Sequence, residues 1–394
     1  MKSNKKINTV KLLDVVSIGG KNVKEFDNEL MYLSTGDLEE SNIVNLEPVT
    51  FDSRPSRANQ LVEINDILFA KMKDTRKTLL INENTKNIIV STGFYVLRTS
   101  NKVLPKYIYH YLNSDYFLNQ KNKLCKGATQ KAINNDGLKQ IDIVLYDDKI
   151  QDKIVELLDK SQQLIDKRKE QIEALDELVK SQFIEMFGDL SKNDKGWVEV
   201  ELSEACDVIH RYPTFYGMEY IEKGTPVIRI GNIKMDGILD DNMENYIFVY
   251  DNVNNDFPLT SVELGDILMA VRGDGSAAKR IGIVKTPKLI GANISPNLLR
   301  IKAKDSVVNN IYLFRYLISE VGQRRLDAYV NKTAKKNIAA KDIKKVITPI
   351  PPIELQNKFA DFVKQVDKLK FEMEKSLKEL EDNFNSLMQK AFKG

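Results

Sequence analysis

The sequence contains two copies of one pattern, and this repeat constrains the fold more than any other feature. INDILFA from Ile64 resembles LGDILMA from Leu264. Later in each copy, YIYHYL from Tyr107 matches YLFRYL from Tyr312 at an offset of 205 residues. Self-similarity over such lengths predicts two structurally equivalent domains.

The offset between the copies stays at 205 residues from Tyr107 to Phe187, whose counterpart is Phe392. Loop insertions change such an offset, as they do earlier in the chain. A constant offset over roughly 80 residues therefore indicates a stretch whose length is tightly constrained.

Apolar residues near the end of each copy recur at spacings of three and four residues, with one four-residue stutter at the same place in both. This heptad pattern predicts two long helices that pair along an apolar seam, each extending roughly 55 to 60 Å. The predicted pairing residues are Ile154, Leu157, Leu164, Ile172, Leu175, Val179, Phe359, Phe362, Val366, Leu369, Leu377, Leu380 and Phe384. The alternative is two independent amphipathic helices, each packed on its own domain.

The segments before the long helices predict mixed α/β domains. EINDILFAKM and ELGDILMAVR are typical of strands, and the tyrosine-rich YIYHYLNSDYFLNQ predicts one amphipathic helix after Pro105. GDLSKNDKG from Gly188 predicts a linker. We therefore place a first domain at residues 1–148, a first long helix at 149–187, a second domain at 188–350 and a second long helix at 351–394.

Composition narrows the class of protein. The chain is 42% hydrophobic and 29% charged, which is typical of globular proteins. No apolar run approaches the length of a membrane-spanning helix, and the N-terminus lacks the apolar region of a signal peptide, so we expect a cytoplasmic protein. Cys125 and Cys206 have no CxxC neighbourhood and there are only two histidines, which excludes a disulfide framework and argues against a zinc site.

Catalytic motifs are missing from the sequence. NISPNL from Asn293 has the wrong order for the acceptor loop of a methyltransferase, and RGDGSAAKRIG from Arg272 lacks the spacing of a phosphate-binding loop. Asp147 and Asp148 precede the first long helix, where they are better explained as capping residues than as metal ligands. His110 is interpreted as a solvated surface residue. We therefore predict no catalytic residue and no metal site.

Basic residues instead recur at matching places in both copies. One cluster follows INDILFA and its repeat, and another lies in GATQKAIN from Gly127 and KTAKKNIA from Lys332. Lysine and arginine at such places would neutralise DNA phosphates, and an arginine or glutamine on a rigid edge could read bases. The predicted DNA-contact residues are Lys71, Lys73, Arg76, Lys77, Gln130, Lys131, Arg272, Lys279, Arg280, Lys335 and Lys336. For each of them, a solvated surface charge is the alternative.

The order GDIL, ISPNLLRI, YLFRYL, TAKKNIAAKDIKKVITPIPPIELQNKF, followed by a long helix, resembles the specificity subunit of type I restriction-modification enzymes. The resemblance covers nearly the whole chain and is strongest in TPIPPIELQNKF from Thr348. The first copy keeps the Gly-Ala-Thr opening and the Ile-Gln at the start of the helix. It has Tyr146 and Asp147 opposite Pro351 and Pro352, which leaves the path of this linker open.

The resemblance implies an α+β fold in which two α/β target-recognition domains are separated by two long helices that form an antiparallel coiled coil with pseudo-twofold symmetry. Each domain would read one half of a split double-stranded DNA sequence, and the helices would set the spacer. Such proteins dock two methyltransferase (modification) subunits, which bind S-adenosylmethionine. Full complexes add restriction subunits, with ATP and Mg on those partners and no cofactor on this chain.

Two other classes stay open at this point. One is a single-chain DNA methyltransferase or nuclease with degenerate motifs, and binding of a cofactor to the purified chain would favour it. The other is a helical scaffold whose α/β domains bind protein or another ligand. Failure to bind any DNA together with modification subunits would favour the scaffold.

Overall fold

The computed structural model describes residues 8–211, 219–272, 280–331 and 337–393. The chain forms two compact units: unit 1 comprises Met1–Gln171 and Met373–Gly394, and unit 2 comprises Ile172–Glu372. The borders of the units fall inside the two long helices, Asp148–Phe187 and Ile353–Phe392. Each unit therefore contains one α/β domain together with part of each long helix.

Unit 1 is built from short strands and short helices that precede the first long helix. Its strands are Thr9–Lys11 (β1), Val16–Ile18 (β2), Lys21–Asn22 (β3), Leu30–Leu33 (β4), Leu38–Glu39 (β5), Asn42–Ile43 (β6), Glu47–Val49 (β7), Ala58–Leu61 (β8), Ile67–Ala70 (β9), Thr78–Leu80 (β10), Ile88–Ser91 (β11), Phe94–Thr99 (β12) and Asp142–Val144 (β13). Its helices are Pro105–Leu112 (α1), Asp115–Leu124 (α2) and Asn135–Leu138 (α3), and the first long helix, Asp148–Phe187, is α4.

Two sheets form the body of the first domain. One has the order β10-β9-β12-β2 and is antiparallel; the other has the order β3-β8-β11-β4-β7, in which β11 and β4 run parallel. All four residues of β9 are buried, because Ile67 and Phe69 face one apolar core and Leu68 and Ala70 face another. Burial on both faces explains why all four residues of β9 are apolar, which differs from the alternating pattern expected from the sequence.

Unit 2 is likewise built from short strands and short helices that precede its long helix. Its strands are Val198–Glu201 (β14), Cys206–Arg211 (β15), Thr225–Ile228 (β16), Ile247–Val249 (β17), Ile267–Ala270 (β18), Ile281–Ile283 (β19), Asn293–Ile294 (β20), Leu298–Ala303 (β21) and Ile347–Ile350 (β22). Its helices are Leu202–Ala205 (α5), Val253–Asp256 (α6), Asn310–Ile318 (α7), Glu320–Asp327 (α8) and Ala340–Ile343 (α9), and the second long helix, Ile353–Phe392, is α10.

The strand pairing of unit 2 repeats that of unit 1. An antiparallel sheet has the order β15-β21-β18-β19, and a second sheet has the order β17-β16-β20 with β16 and β20 parallel. The register repeats as well, since Leu97 pairs with Ile67 in one unit and Ile301 pairs with Ile267 in the other. The sequence repeat is therefore a structural repeat.

The tyrosine-rich segment forms two helices rather than the single helix predicted. α1 begins with Pro105 and ends at Leu112, and α2 starts after Ser114. The hydroxyl of Ser114 accepts a hydrogen bond from the N–H of Phe117 and donates one to the carbonyl of Tyr111, which ends one helix and caps the next. Ser319 does the same between α7 and α8.

Buried glutamines fasten the start of both long helices. The Gln151 amide donates to the carbonyls of Tyr146 and Lys102, and its oxygen accepts the N–H of Leu104. The Gln356 amide makes the corresponding three bonds, to Pro351, Val307 and Asn309. The first linker therefore makes the same hydrogen bonds as the second, although it lacks the double proline.

The long helices pair within each unit, the first part of one beside the last part of the other. In unit 1, Lys169 of α4 lies 3.4 Å from Glu381 of α10. In unit 2, Lys370 of α10 lies 2.7 Å from Asp176 of α4. Leu158 near the start of α4 shares a core with Phe392 at the end of α10, and Phe187 at the end of α4 lies 5.4 Å from Phe359 near the start of α10, so the pair is antiparallel.

The last aromatic residue of each long helix packs into a domain core. Phe392 lies 5.2 Å from Tyr107 in unit 1, and Phe187 lies 4.7 Å from Tyr312 in unit 2, measured between ring centroids. The two contacts are related by the 205-residue repeat. Each long helix thus completes the core of the domain that the other long helix follows.

The seam differs from the prediction near Leu157, Leu164 and Leu369, which are 49%, 55% and 46% exposed. Their neighbours Leu158 and Ile165 are buried instead. The start of α4 also packs on its own domain, which turns the buried face away from a simple two-helix seam. Of the remaining predicted residues, Leu175, Val179, Phe359 and Val366 are buried, and Ile154, Ile172, Phe362, Leu377, Leu380 and Phe384 are partly buried.

Candidate DNA interface

Two basic loops that are far apart in the sequence meet in the first domain. The 71–77 loop follows β9, and the 126–133 loop follows α2. Met72 and Ala132 form a β-bridge between them. The N–H of Lys73 donates to the carbonyl of Lys131 at 2.9 Å, and the N–H of Ile133 donates to the carbonyl of Lys71 at 2.9 Å. The structure therefore joins the two predicted clusters into one surface.

The turn within the 126–133 loop requires glycine. Gly127 has a φ of +132°, and a Cβ at this position would lie 2.5 Å from the carbonyl oxygen of Gln130. Only glycine permits this close approach at a positive φ. Gln130 and Lys131 are exposed at the end of this turn, where they can approach a DNA backbone.

In the second domain, the described residues at the ends of the two predicted loops meet in the same way. Arg272 and Asn337 form a β-bridge, and the N–H of Ile338 donates to the carbonyl of Val271 at 3.0 Å. Arg272 is exposed, whereas Arg280 is partly buried and donates to the carbonyl of Ile233 at 2.6 Å. The other predicted contacts of this domain, Lys279, Lys335 and Lys336, lie outside the described residues.

Three of the cations predicted in the 71–77 loop make bonds within the domain. The Lys71 ammonium donates to the carbonyl of Thr92 at 2.8 Å and lies over the Tyr95 ring, and burial lowers its pKa. Arg76 forms an ion pair with Asp115 and donates to the carbonyl of Asn113. Lys77 donates to the carbonyl of Thr35 at 2.8 Å. These bonds compete with phosphate, so their contact with DNA stays a prediction.

Other lysines of this surface point outward. The side chain of Lys73 is 39% exposed, with Asp74 at 3.8 Å. Lys123, Lys126 and Lys131 are also exposed. The only sequence signal for Lys123 and Lys126 is the high density of lysines in this segment. Grouped exposed lysines are the residues that neutralise DNA phosphates in binding proteins, and such contacts weaken with salt.

Lys121 lies beneath this surface. It belongs to the same run of lysines and was not singled out by the sequence analysis. Its side chain is buried, and its ammonium donates to the carbonyls of Met72 and Thr75 at 2.9 and 2.6 Å. Burial lowers its pKa to about 8. Nothing in the sequence distinguishes this lysine from its exposed neighbours, because the distinction depends on which face of α2 meets the loop.

A repeated ion pair supports the strands that carry these loops. Arg98 binds Asp66 through Nε and Nη2 at 2.8 and 2.9 Å, and Arg300 binds Asp266 through Nε at 2.6 Å. Both aspartates are buried. They are the aspartates of the INDIL and LGDIL repeats, and each would be an uncompensated buried charge without its arginine.

His110 is buried, contrary to the prediction of a solvated surface residue. Its Nε2 lies 2.7 Å from the Asp159 carboxylate of α4, which Lys106 also binds at 2.6 Å. Burial lowers the pKa of His110, and the nearby carboxylate opposes this shift. The prediction failed because α4 covers this face of α1. The pair joins α4 to its domain.

Within the described ranges, the structure contains no cluster of three or more metal-ligating side chains. The same ranges contain no helix both long and apolar enough to cross a membrane. Cys125 is partly exposed and Cys206 is buried, and neither forms a disulfide.

Comparison with known proteins finds one matching family and several similar proteins. The family described as "Type I restriction modification DNA specificity domain" matches residues 4–175 and 194–382, one match for each copy of the repeat. The MjaVIII type I restriction enzyme specificity subunit of Methanocaldococcus jannaschii is 23% identical over 76% of this chain and 76% of its own length.

A second relative, the EcoBI type I restriction enzyme specificity subunit of Escherichia coli, is 27% identical over 50% of this chain, and the match spans only 41% of its own length. Among solved structures, a chain from a study of assembly and conformational transition of the type I R-M system has a TM-score of 0.65 at 21% identity, covering 98% of this chain and 97% of that one. A type I restriction-modification S subunit from M. genitalium has a TM-score of 0.55 at 16% identity, covering 100% of this chain and 98% of that one. These likenesses show a shared fold.

Proposed function

The chain belongs to the type I restriction modification DNA specificity domain family, and on that premise we propose that it is the DNA-specificity subunit of a type I restriction-modification system. Each α/β domain reads one half of a bipartite double-stranded DNA target. The antiparallel helices α4 and α10 hold the two domains and set the spacer between the half-sites.

One observation carries the proposal: the same β-bridge between two distant chain segments is formed twice. In each domain a loop after the central buried strand is joined by a β-bridge to a loop before the last short helix, at Met72 and Ala132 in one and at Arg272 and Asn337 in the other. Two equivalent surfaces joined by paired helices suit a split target, because each surface can contact one major groove.

The chemistry of the system is assigned to partner subunits. Two methyltransferase subunits bind S-adenosylmethionine and methylate DNA, and restriction subunits that use ATP and Mg complete the complex. This chain has no catalytic role, binds none of these cofactors and acts in the cytoplasm. The sequence supports this division, since it contains neither a methyltransferase acceptor loop nor a phosphate-binding loop.

The proposal is tested by producing the chain with its cognate methyltransferase subunits and sequencing the methylated DNA. We expect methylation at one two-part sequence with a fixed spacer, and none from the chain alone. Calorimetry on the chain alone should detect no S-adenosylmethionine binding. Stoichiometric binding of this cofactor, or methylation at a continuous site, would contradict the proposal.

A further inference from the structure

The Lys121 side chain fills the inside of the 71–77 loop. It extends from α2 and is 2% exposed. Its ammonium donates to three backbone carbonyls, those of Ala70 at 3.3 Å, Met72 at 2.9 Å and Thr75 at 2.6 Å. The Thr75 hydroxyl oxygen lies 3.3 Å from the ammonium as a fourth acceptor, so each of the three hydrogens of the ammonium has an acceptor within reach. All three carbonyls belong to the loop or to the strand residue just before it.

A lysine is energetically unfavourable at this buried position. Burial disfavours the charged form, as the lowered pKa of about 8 reflects. The repeat places Leu326 of α8 opposite Lys121, and that leucine is completely buried. An apolar side chain therefore suffices to pack this helix in the second domain. The lysine in the first domain needs a reason other than packing, and its hydrogen bonds indicate the loop.

The neighbouring residue of α2 holds the same loop. Asn122 accepts the N–H of Asp74 at 2.9 Å and donates to the Asp74 carboxylate at 2.8 Å. Asp74 has a φ of +58°, a left-handed conformation that costs energy for a residue other than glycine. Two adjacent residues of α2 thus hold this loop in one conformation.

We propose that Lys121 is a positioning residue for base reading by the first domain, because its buried ammonium fixes the 71–77 loop and, through the bond from Lys73 to Lys131, the 126–133 loop. The inference rests on the proposed function. Lys121 itself touches no DNA. In the second domain Leu326 stands at this place, so that domain has no equivalent of this positioning lysine.

The test uses the full chain with its methyltransferase subunits and compares Lys121→Met with Lys123→Met. Methionine keeps the length of the side chain and removes the ammonium, and Lys123 is exposed on the same helix. For Lys121→Met we expect base discrimination to fall about 10- to 100-fold in one half-site, with the other half-site and the salt slope of DNA binding unchanged. For Lys123→Met we expect both half-sites to be retained and the salt slope to fall by at most about one unit.

A second variant keeps the test decisive if Lys121→Met unfolds the first domain. Thr75→Val removes a hydroxyl that donates to the carbonyl of Met72 at 2.7 Å and accepts from the Lys121 ammonium at 3.3 Å. It keeps Lys121 and the three carbonyls to which its ammonium donates. It should relax the same half-site about 10-fold or less, with thermal melting preserved. Arg272→Ala, in the second domain, should relax the other half-site. It therefore identifies which half-site belongs to which domain. If wild-type protein yields no two-part site, the proposed function fails; if it does, and both loop variants read both half-sites normally, the positioning role is wrong.

Discussion

Gln151 and Gln356 show how one buried side chain fixes the junction between a domain and a long helix. Each amide makes hydrogen bonds to two backbone carbonyls and one backbone N–H. A buried polar group left without a partner costs about 1–3 kcal/mol. These residues therefore determine the direction in which each helix leaves its domain.

Replacing Gln356 by Met should lower the stability of the chain. Methionine fills the space but leaves the Asn309 N–H and two carbonyls unpaired, so we expect a loss of about 1–3 kcal/mol in the free energy of unfolding. Urea unfolding followed by circular dichroism measures it. Gln365→Met, at an exposed position of the same helix, is the control and should change stability by less than about 0.5 kcal/mol.

Lys121 makes the free energy of unfolding of the chain depend on pH in the alkaline range. Its pKa is about 8 in the folded chain against 10.5 for an ordinary lysine, so the unfolded chain binds more protons between these values. Stability contributed by this residue therefore rises with pH through that window. The advantage of wild type over Lys121→Met should grow by on the order of 1–3 kcal/mol from pH 7.5 to 10 in urea titrations. The same comparison with Lys123→Met should stay flat, and a flat result for Lys121→Met would contradict its burial.

The exposed lysines of the 126–133 loop should act on DNA without regard to sequence. Replacing Lys126 and Lys131 together by Ala should weaken binding to every DNA and make the salt slope shallower by up to about two units. Replacing Lys375 and Lys378, exposed on α10, should leave the slope unchanged. An unchanged slope in the loop variant would show that its lysines do not contact phosphate.

At the scale of elements, the heptad pattern predicted both long helices. It predicted only some of the residues that are buried along them. The 3-4 spacing identifies an apolar face, and Leu175, Val179 and Phe359 do lie in it. It cannot say that α4 also packs on its own domain, which buries Leu158 rather than Leu157. The break between α1 and α2 was missed for a similar reason, because a capping serine within an apolar pattern is visible only when its hydrogen bonds are known.

If the paired helices set the spacer, lengthening both by one heptad should lengthen the spacer. Insertion after Gln171 and after Glu372, at the borders of the compact units, adds about 10 Å to each helix, or about three base pairs of DNA. Sequencing the methylated sites should show unchanged half-sites and a spacer longer by up to about three base pairs.

Insertion into α4 alone is the matched control. It should break the pairing of α4 with α10 and abolish methylation, because the partner then faces displaced apolar positions. A doubly extended protein that is active with an unchanged spacer would show that the helices do not set the distance.

At the scale of the whole molecule, the repeat was the most informative part of the sequence. It predicted two equivalent domains, and the β-bridges Met72–Ala132 and Arg272–Asn337 lie at matching places in both. The individual roles of Lys71, Arg76 and Lys77 could not be predicted, because their partners Thr92, Asn113 and Thr35 come from distant parts of the chain. Charge alone does not distinguish a lysine that binds phosphate from one that binds a carbonyl.

The central claim is that each domain reads one half-site, independently of its place in the chain. It can be tested by replacing residues 198–350 with a second copy of residues 8–145, which keeps Tyr107 in the place of Tyr312 beside Phe187. Methylated DNA made by this chain with its modification subunits would then be sequenced. We predict a palindromic two-part site, in which one native half-site appears twice in inverted order and the other is lost. Retention of the native unsymmetrical site would contradict the claim.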